Sequence, residues 1–159
     1  MEIIPILHLC WTLFITFYGF LTTKNKFDFY YLLYIYVVAF SWTFYNGDCL
    51  ITYYHNKQNN PSYKAGNFRE SSDLHIVFGE TYAPFLKKNH VVIVSILALF
   101  SILSMYRVMI RQQFPILSIF LLFFIYGSYY VTIMKSMDCH FLFCPLLLGC
   151  LLYILSVWK

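Results

Sequence analysis

Five long apolar stretches run through this chain, and each is long enough to cross a lipid bilayer as a helix. An α-helix rises about 1.5 Å per residue, so roughly 17–25 apolar residues span the hydrocarbon core. The stretches are residues 4–22, 29–46, 90–107, 115–134 and 139–158. Because 60% of the residues are apolar and 11% are charged, a fold in water could not hide so much apolar surface. The sequence therefore predicts an all-α, polytopic membrane helix bundle of about five transmembrane helices, forming a single integral membrane domain over residues 1–159.

One connection between these stretches, residues 53–89, is long and holds most of the polar residues. It begins with turn-forming residues, HNKQNNPSYKAGN. Further along, apolar residues follow Ser71 and Ser72, which can cap a helix, at close to helical spacing. These apolar residues are Leu74, Val77, Phe78, Tyr82 and Phe85. We therefore expect a hydrophilic loop that carries a short amphipathic helix, ending near Pro84 and lying in the membrane interface, with an irregular loop as the alternative.

Five spans would place the N-terminus, residues 53–89 and residues 135–138 on one side of the membrane, named face A here. The turns near residues 23–28 and 107–114 would lie on the other side, face B. Lysine and arginine counts are nearly equal on the two faces, but Lys24 and Lys26 directly follow a first helix that has no basic residue before it. The positive-inside rule then predicts that the N-terminus and the long loop are exoplasmic. An acidic residue near the start and the lack of a small-residue cleavage site predict that the first helix is retained.

The most specific string of the chain is Trp42–Thr52, WTFYNGDCLIT, where the second apolar stretch ends. An amide, a glycine, a carboxylate and a thiol follow one another at Asn46, Gly47, Asp48 and Cys49, which is more than the end of a helix requires. Two explanations remain open. Gly47 can adopt the left-handed conformation that often follows a helix, so the string could be a C-terminal cap. Alternatively, it could supply reactive groups.

Polar groups from distant parts of the sequence would meet at face A in this topology. They are His8, Asn46, Gly47, Asp48, Cys49, His90, Asp138, Cys139 and His140. Polar residues collect at membrane boundaries in any such protein, so a structural role is one interpretation. In the other, Asp48 acts as acid or base and Cys49 as nucleophile or redox thiol. His90 or His140 would then shuttle protons.

The five cysteines suggest one pairing. Cys49 and Cys139 both lie at face A boundaries, so an oxidising exoplasmic space would allow a disulfide between them, with two reduced thiols as the alternative. The other three, Cys10, Cys144 and Cys150, lie in apolar stretches and are expected to act as packing residues. The chain has no C-x-x-C pair, hydrolase signature or phosphate-binding glycine loop, so we predict no metal and no cofactor. Its net charge of +4 is spread out, which does not indicate nucleic-acid binding.

Residues 42–66 resemble a family of uncharacterised small multi-span membrane proteins with an N-G-x-C-x-x-T helix end, found in bacteria and in large DNA viruses. The matching positions are Trp42, Asn46, Gly47, Cys49, Leu50, Thr52, Tyr63 and Gly66, with His8 as an early histidine in the first helix. Bacterial members typically read Cys-Pro-Leu-Thr, whereas this chain reads Cys49-Leu50-Ile51-Thr52. The resemblance covers about the first half of the chain and implies a bundle of four or five helices, without implying an activity.

These observations predict a non-enzymatic membrane protein that acts as a structural or assembly component, such as one of a large-virus internal membrane or a host endomembrane. Its partners would be the lipid bilayer and other membrane or capsid proteins, which the mixed charges of residues 53–89 could contact. A membrane-embedded enzyme or redox protein that uses Asp48, Cys49 and a histidine is the alternative. A small channel or transporter is the third possibility.

Overall fold

A computed structural model describes residues 3–65, 73–134 and 140–158. These residues form six α-helices and no strand, so the all-α prediction is confirmed for the described part of the chain. The helices are α1 (Ile3–Leu21), α2 (Phe27–Trp42), α3 (Leu50–Asn59), α4 (Asp73–Arg111), α5 (Ile116–Met134) and α6 (Cys144–Val157). A short 3-10 helix, His140–Phe143, leads into α6.

Four of the predicted apolar stretches correspond to the separate helices α1, α2, α5 and α6, and the stretch at 90–107 lies within α4. Among the described residues, α1 is long and apolar enough by itself to be a candidate membrane span. Shorter apolar helices occupy Phe27–Trp42, Ile116–Thr132 and Cys144–Val157. The structure thus has one candidate spanning helix near the N-terminus together with several shorter apolar ones.

The region expected to be a loop differs most from the prediction. Helix α3 occupies Leu50–Asn59, where turn-forming residues had indicated irregular structure. Its Thr52, His55 and Asn56 are buried and share one helical face, so packing against the bundle outweighs the weak helix propensity of this segment. The predicted separate helix ending near Pro84 is also wrong, because α4 continues through Pro84 to Arg111. With 39 residues, α4 is about 58 Å long.

The core of the bundle depends on a close crossing of α1 and α4 at Gly19 and Ser104. The Gly19 N–H donates to Oγ of Ser104 at 2.7 Å, and the hydroxyl of Tyr31 donates to the same oxygen at 2.8 Å. A Cβ atom added at Gly19 would lie 2.2 Å from the Ser104 carbonyl oxygen. Only glycine therefore allows the two helices to approach this closely. Around the crossing, α2, α4, α5 and α6 bury Leu32, Tyr36, Met105, Met109, Tyr129, Leu147 and Ile154.

Both α2 and α4 end in a left-handed cap. After α2, Asn46 has φ 48° and Gly47 has φ 91°, and the Gly47 N–H donates to the Trp42 carbonyl at 2.9 Å. After α4, Gln113 has φ 61°, and the N–H of the next residue reaches back to the Met109 carbonyl at 3.0 Å. This 6→1 hydrogen bond is the mark of a Schellman motif. In both motifs the left-handed cap residue is not glycine: it is Asn46 after α2 and Gln113 after α4. Gly47 is also left-handed, but it is the following residue, which donates the 6→1 hydrogen bond. The string therefore ends a helix as the cap interpretation expected, with Asn46 in the place expected for Gly47.

Candidate functional site

A thiol and an imidazole meet where α2 gives way to α3. Cys49 is the N-cap residue of α3, with an extended backbone at φ −68° and ψ 138°. The Sγ atom of Cys49 lies 3.4 Å from Nε2 of His8 on α1. Because the cap at Asn46 and Gly47 turns the chain back after α2, residues 41 positions apart are brought into contact. The two ring nitrogens of histidine can donate or accept, so His8 can take a proton from this thiol.

The surroundings of Cys49 favour its thiolate. Burial by itself would raise the pKa of the Cys49 thiol, but the hydrogen bond and charge of His8 act in the opposite direction. Backbone N–H groups of Ile51 and Thr52, at the start of α3, add to this effect. The net result is a pKa below the ordinary cysteine value. A lowered pKa increases the share of thiolate, which is the nucleophilic form of cysteine.

A cavity of about 230 Å³ lies beside this pair. It is bordered by α1 and α2, with further residues from α4 and α5, and its lining is apolar with a few hydroxyl groups. The lining includes Ile15, Ile35, Val38, Trp42, Thr12 and Tyr34. The Trp42 indole N–H is buried and has no hydrogen-bond partner within the described part of the chain. The arrangement can therefore hold an apolar group next to a nucleophilic sulfur.

Asp48 precedes the reactive cysteine and is fully buried. Its Oδ2 accepts a hydrogen bond of 3.0 Å from the hydroxyl of Tyr63, which is itself buried. The carbonyl of Tyr63 in turn accepts a hydrogen bond of 3.1 Å from Nζ of Lys57 on α3. These contacts hold the segment after α3 against the end of α2. They show what Asp48 and Tyr63, two residues of the 42–66 region, do in the fold.

Several of the remaining predicted site residues lie outside the described part of the chain. Among them, Gly66, Asp138 and Cys139 lie outside the described residues. Helical backbone places His90 in α4 and His140 in the 3-10 helix, but their side chains are also outside the described part. The predicted disulfide between Cys49 and Cys139 therefore stays a prediction, as do the shuttle roles of both histidines. Within the described ranges, no group of three or more His, Cys, Asp or Glu side chains is placed to hold a metal ion.

The imidazole that the structure places beside Cys49 is that of His8, whereas the sequence suggested His90 or His140 as the proton shuttle. His8 had been included in the face A cluster, but without a specific role. The signal available in the sequence was a histidine, a polar residue, inside the first apolar stretch. The sequence does not show how α1 is rotated about its axis, and this rotation decides whether the imidazole points towards Cys49.

A second polar cluster, which the sequence analysis missed, joins the α1–α2 turn to the end of α4. Asp28 is fully buried, and Nε of Arg111 donates to its Oδ2 at 2.8 Å, while a second guanidinium nitrogen contacts Oδ1. The same guanidinium contacts the carbonyl oxygen of Thr22 and donates to the side-chain Oγ1 of Thr22 at 2.8 Å. A bidentate pair between arginine and a carboxylate is among the strongest polar contacts in proteins.

Two further groups complete the shell around Asp28. Nε2 of Gln112 donates to Oδ2 at 2.6 Å, and the hydroxyl of Tyr18 donates to Oδ1 at 3.1 Å. Burial alone would raise the pKa of Asp28, but the hydrogen bonds from Arg111 and Gln112 and the Arg111 charge hold the pKa below its ordinary value. The carboxylate remains ionised and its oxygens are occupied by donors. The cluster therefore links the α1–α2 turn and the start of α2 to the end of α4.

Comparisons of the chain with models of known protein families, with curated proteins and with solved structures found no match. The resemblance carried by residues 42–66 stays a prediction. Three features of the molecule bear on its function. They are the apolar outer surface of the helices, the contact between His8 and Cys49, and the ion pair between Asp28 and Arg111.

Proposed function

We propose that the protein is a multi-span membrane protein that serves as a structural or assembly component of its membrane. In this proposal the five apolar stretches cross the bilayer, with Asp28 and Cys49 at opposite boundaries. The observation that carries it is the distribution of large apolar side chains, which are exposed along α1, α4, α5 and α6 as well as buried between them.

Helix α5 has large apolar side chains on both its exposed and its buried side. Its exposed side includes Leu117, Phe120 and Phe124, which are 71%, 69% and 74% exposed, while Ile119 and Leu122 on its other side are buried. A surface helix in water carries polar residues on its outer side. An apolar patch of this extent on every outer side would aggregate in water but is the expected surface in lipid. Hydrocarbon is therefore the solvent that suits the outside of the bundle.

The shorter helices can also cross a bilayer. Helix α6 has 14 residues, or about 21 Å, and the four-residue 3-10 helix before it adds about 8 Å at its steeper rise. Helix α2 has 16 residues, or about 24 Å, and its capping turn continues to Gly47. Local thinning of the bilayer accommodates differences of a few ångströms at modest cost.

A structural rather than catalytic role is supported by the use of buried charge. Asp28 is engaged by Arg111 and Gln112, and Asp48 by Tyr63, so both carboxylates bind elements of the fold to each other. Helix α4 is about 58 Å long, which exceeds the thickness of the hydrocarbon core by about 28 Å. The surplus would project from face A and present part of residues 53–89 to other membrane or capsid proteins.

Two measurements test this proposal. Retention in the membrane pellet after alkaline carbonate extraction is expected for a multi-span protein, whereas release into the supernatant would contradict membrane integration. For the assembly role, the internal membrane of purified large-virus particles is the setting that the resemblance suggests. Recovery there in amounts similar to known structural membrane proteins is expected, and restriction of the protein to membranes outside the particle would contradict the role.

A second candidate function, a thiol-dependent membrane enzyme, is favoured by the 3.4 Å contact between Cys49 and His8. This contact places a nucleophile and a base next to an apolar cavity. In that case Cys49→Ser would abolish an activity while the bundle remains folded. A structural component would keep its function after the same substitution.

A further inference from the structure

We propose that Cys49 is an S-acylation site, at which the thiol accepts an acyl group from an acyl thioester and the cavity beside it receives the start of the acyl chain. The inference rests on the membrane placement proposed above and uses the contact that also favours the second candidate function, but it does not depend on the structural or assembly role. Three observations carry it: the partner of the sulfur, the cavity, and the position of Cys49 between α2 and α3.

The first observation is the pairing of nucleophile and base. Nε2 of His8 lies 3.4 Å from Sγ of Cys49, within reach for proton transfer between nitrogen and sulfur. His8 comes from α1 and Cys49 from the start of α3, so two separate elements form the pair. This arrangement differs from a lone cysteine, which has no group to take its proton.

The second observation is the chemistry of the cavity. Its volume of about 230 Å³ is lined next to Cys49 by apolar side chains that include Ile35, Val38 and Trp42. Hydroxyl groups of Thr12 and Tyr34 are also present in the lining. Such a surface receives methylene groups favourably and offers little to a charged or strongly polar substrate. The cavity is partly open, so the rest of a long chain can continue to the outside.

The third observation is location. Cys49 follows the predicted span 29–46 directly, and cysteines beside membrane spans are common sites of reversible acylation. Acyl-coenzyme A is cytosolic, so the proposal requires face A to be cytoplasmic, which is the opposite of the orientation that the lysine and arginine pattern predicts. The next two residues, Leu50 and Ile51, are apolar and are 41% and 44% exposed. An acyl chain leaving the cavity would therefore enter an apolar environment, which matches its own solubility.

The proposed step is an exchange of thioesters. His8 takes the proton of the Cys49 thiol, and the thiolate attacks the acyl carbonyl carbon. A sulfur–carbon bond forms to Cys49, and the carbon–sulfur bond of the donor breaks. The donor sulfur leaves as a thiolate and receives the proton from His8. The products are S-acyl Cys49 and the free donor thiol, and no group is oxidised or reduced.

The other described cysteines lack this combination. Cys10 is exposed on α1, which makes it a control for accessibility. Cys144 donates a hydrogen bond of 3.1 Å to Oγ1 of Thr43, and Cys150 is buried. If exposure alone governed acylation, Cys10 would react before Cys49. The geometry predicts the opposite order.

The test uses the purified full-length chain in lipid nanodiscs with alkyne-tagged palmitoyl-coenzyme A as the acyl thioester. Intact mass is expected to show one acyl group per chain, removable by hydroxylamine and located on Cys49 by peptide mapping. Cys49→Ser should remove the label, and Cys10→Ser should leave it unchanged. The inference is overturned if palmitoyl-coenzyme A leaves Cys49 unlabelled, if Cys10 reacts equally fast, or if Cys49 is already joined to Cys139 by a disulfide.

The role of His8 is tested by the pH profile of the labelling rate. His8→Gln should slow labelling at pH 7 by about 10²-fold, the typical contribution of a general base. It should also move the half-maximal rate to higher pH, because the thiolate loses a stabilising partner. The matched variant Gln58→Ala changes an exposed side chain on α3 and should leave the profile unchanged. An identical profile for wild type and His8→Gln would refute the assignment.

A further variant addresses the cavity and does not depend on the folding of His8→Gln. Val38→Phe should fill part of the cavity, so labelling by palmitoyl-coenzyme A should fall relative to labelling by acetyl-coenzyme A. Equal loss with both donors, or loss with neither, would contradict entry of the chain. Carbonate extraction of the same variants keeps this outcome separate from the membrane proposal, since all of them should remain in the pellet.

Discussion

The two ends of the bundle use polar residues in different ways. At one end, the Asp28 carboxylate receives hydrogen bonds from Arg111, Gln112 and Tyr18, so its oxygens are occupied by the protein itself. At the other end, the Cys49 thiol has His8 beside it and a cavity next to it. Saturated polar groups contribute to stability, whereas a reactive group beside open space can act on another molecule. The first end thus joins helices through a saturated ion pair, whereas the second has, beside its own structural contacts, the sulfur–imidazole pair on which the acylation proposal rests.

The largest effect is expected from Arg111→Ala. Removing the guanidinium leaves the buried Asp28 charge without its main partner, and breaking a buried ion pair in this way costs about 3–5 kcal/mol. Chemical unfolding in detergent micelles measures the free energy of unfolding. Arg107→Ala is the matched control, because Arg107 is exposed and lies over the ring of Phe20. A loss no larger than that of Arg107→Ala would show that the cluster does not hold the fold.

The next largest loss of stability is expected at the crossing of α1 and α4, between the two ends. Gly19→Ala should destabilise the protein by about 1–3 kcal/mol, because the new methyl group would overlap the Ser104 backbone. Gly127→Ala is the matched control in α5, where an added Cβ meets nothing within 4 Å. That substitution should be neutral or stabilise by up to about 1 kcal/mol through helix propensity. Thermal unfolding of both variants compares them, and equal melting temperatures would contradict the close approach.

The pH dependence of the free energy of unfolding tests the role of Asp28 at the first end. The folded pKa of Asp28 is lowered, so its contribution is present above the unfolded pKa of about 3.9 and is lost as the pH falls through the folded value. The unfolding free energy of the wild type should therefore decline below about pH 4. Asp28→Asn should be less stable at neutral pH and decline less on acidification. Parallel curves for the two proteins would show that Asp28 is not the group responsible.

The smallest effect concerns the thiol. The folded pKa of Cys49 is also lowered, so more of it is thiolate at pH 7 than expected for an ordinary cysteine. Alkylation by iodoacetamide should rise with pH along a curve whose midpoint lies below that of an unperturbed thiol. His8→Gln should move this midpoint upward. A Cys49 curve that is unchanged by the substitution would mean that the two side chains do not interact.

Helix positions could be predicted from the sequence, whereas the contacts between helices could not. The stretch at 115–134 matches α5 (Ile116–Met134) closely, because a continuous apolar run is a strong signal. Helix α3 was missed, since its turn-forming residues are helical only through burial of Thr52, His55 and Asn56. Likewise, Pro84 indicated an end that α4 does not have.

The pairing of polar residues was harder to predict for the same reason. Asp28 and Arg111 were both assigned to face B, but their contact depends on how α2 and α4 are rotated about their axes. The contact of His8 with Cys49 depends on the rotation of α1 and on the cap at Asn46 and Gly47. The sequence assigns such residues to a face of the membrane. Packing decides which of them touch.

The central claim is that the apolar outside of this bundle faces lipid, and a spin label at position 124 tests it most directly. Phe124 is 74% exposed on α5, so Phe124→Cys, in a chain whose native cysteines are replaced by serine, places the label on the outer surface. A label at Gln58, exposed on α3, provides the matched polar control. In proteoliposomes, power-saturation EPR should show that the label at 124 collides often with oxygen and rarely with a water-soluble nickel chelate, with the reverse at 58. Frequent collision with the nickel chelate at 124 would place this surface in water and contradict the account.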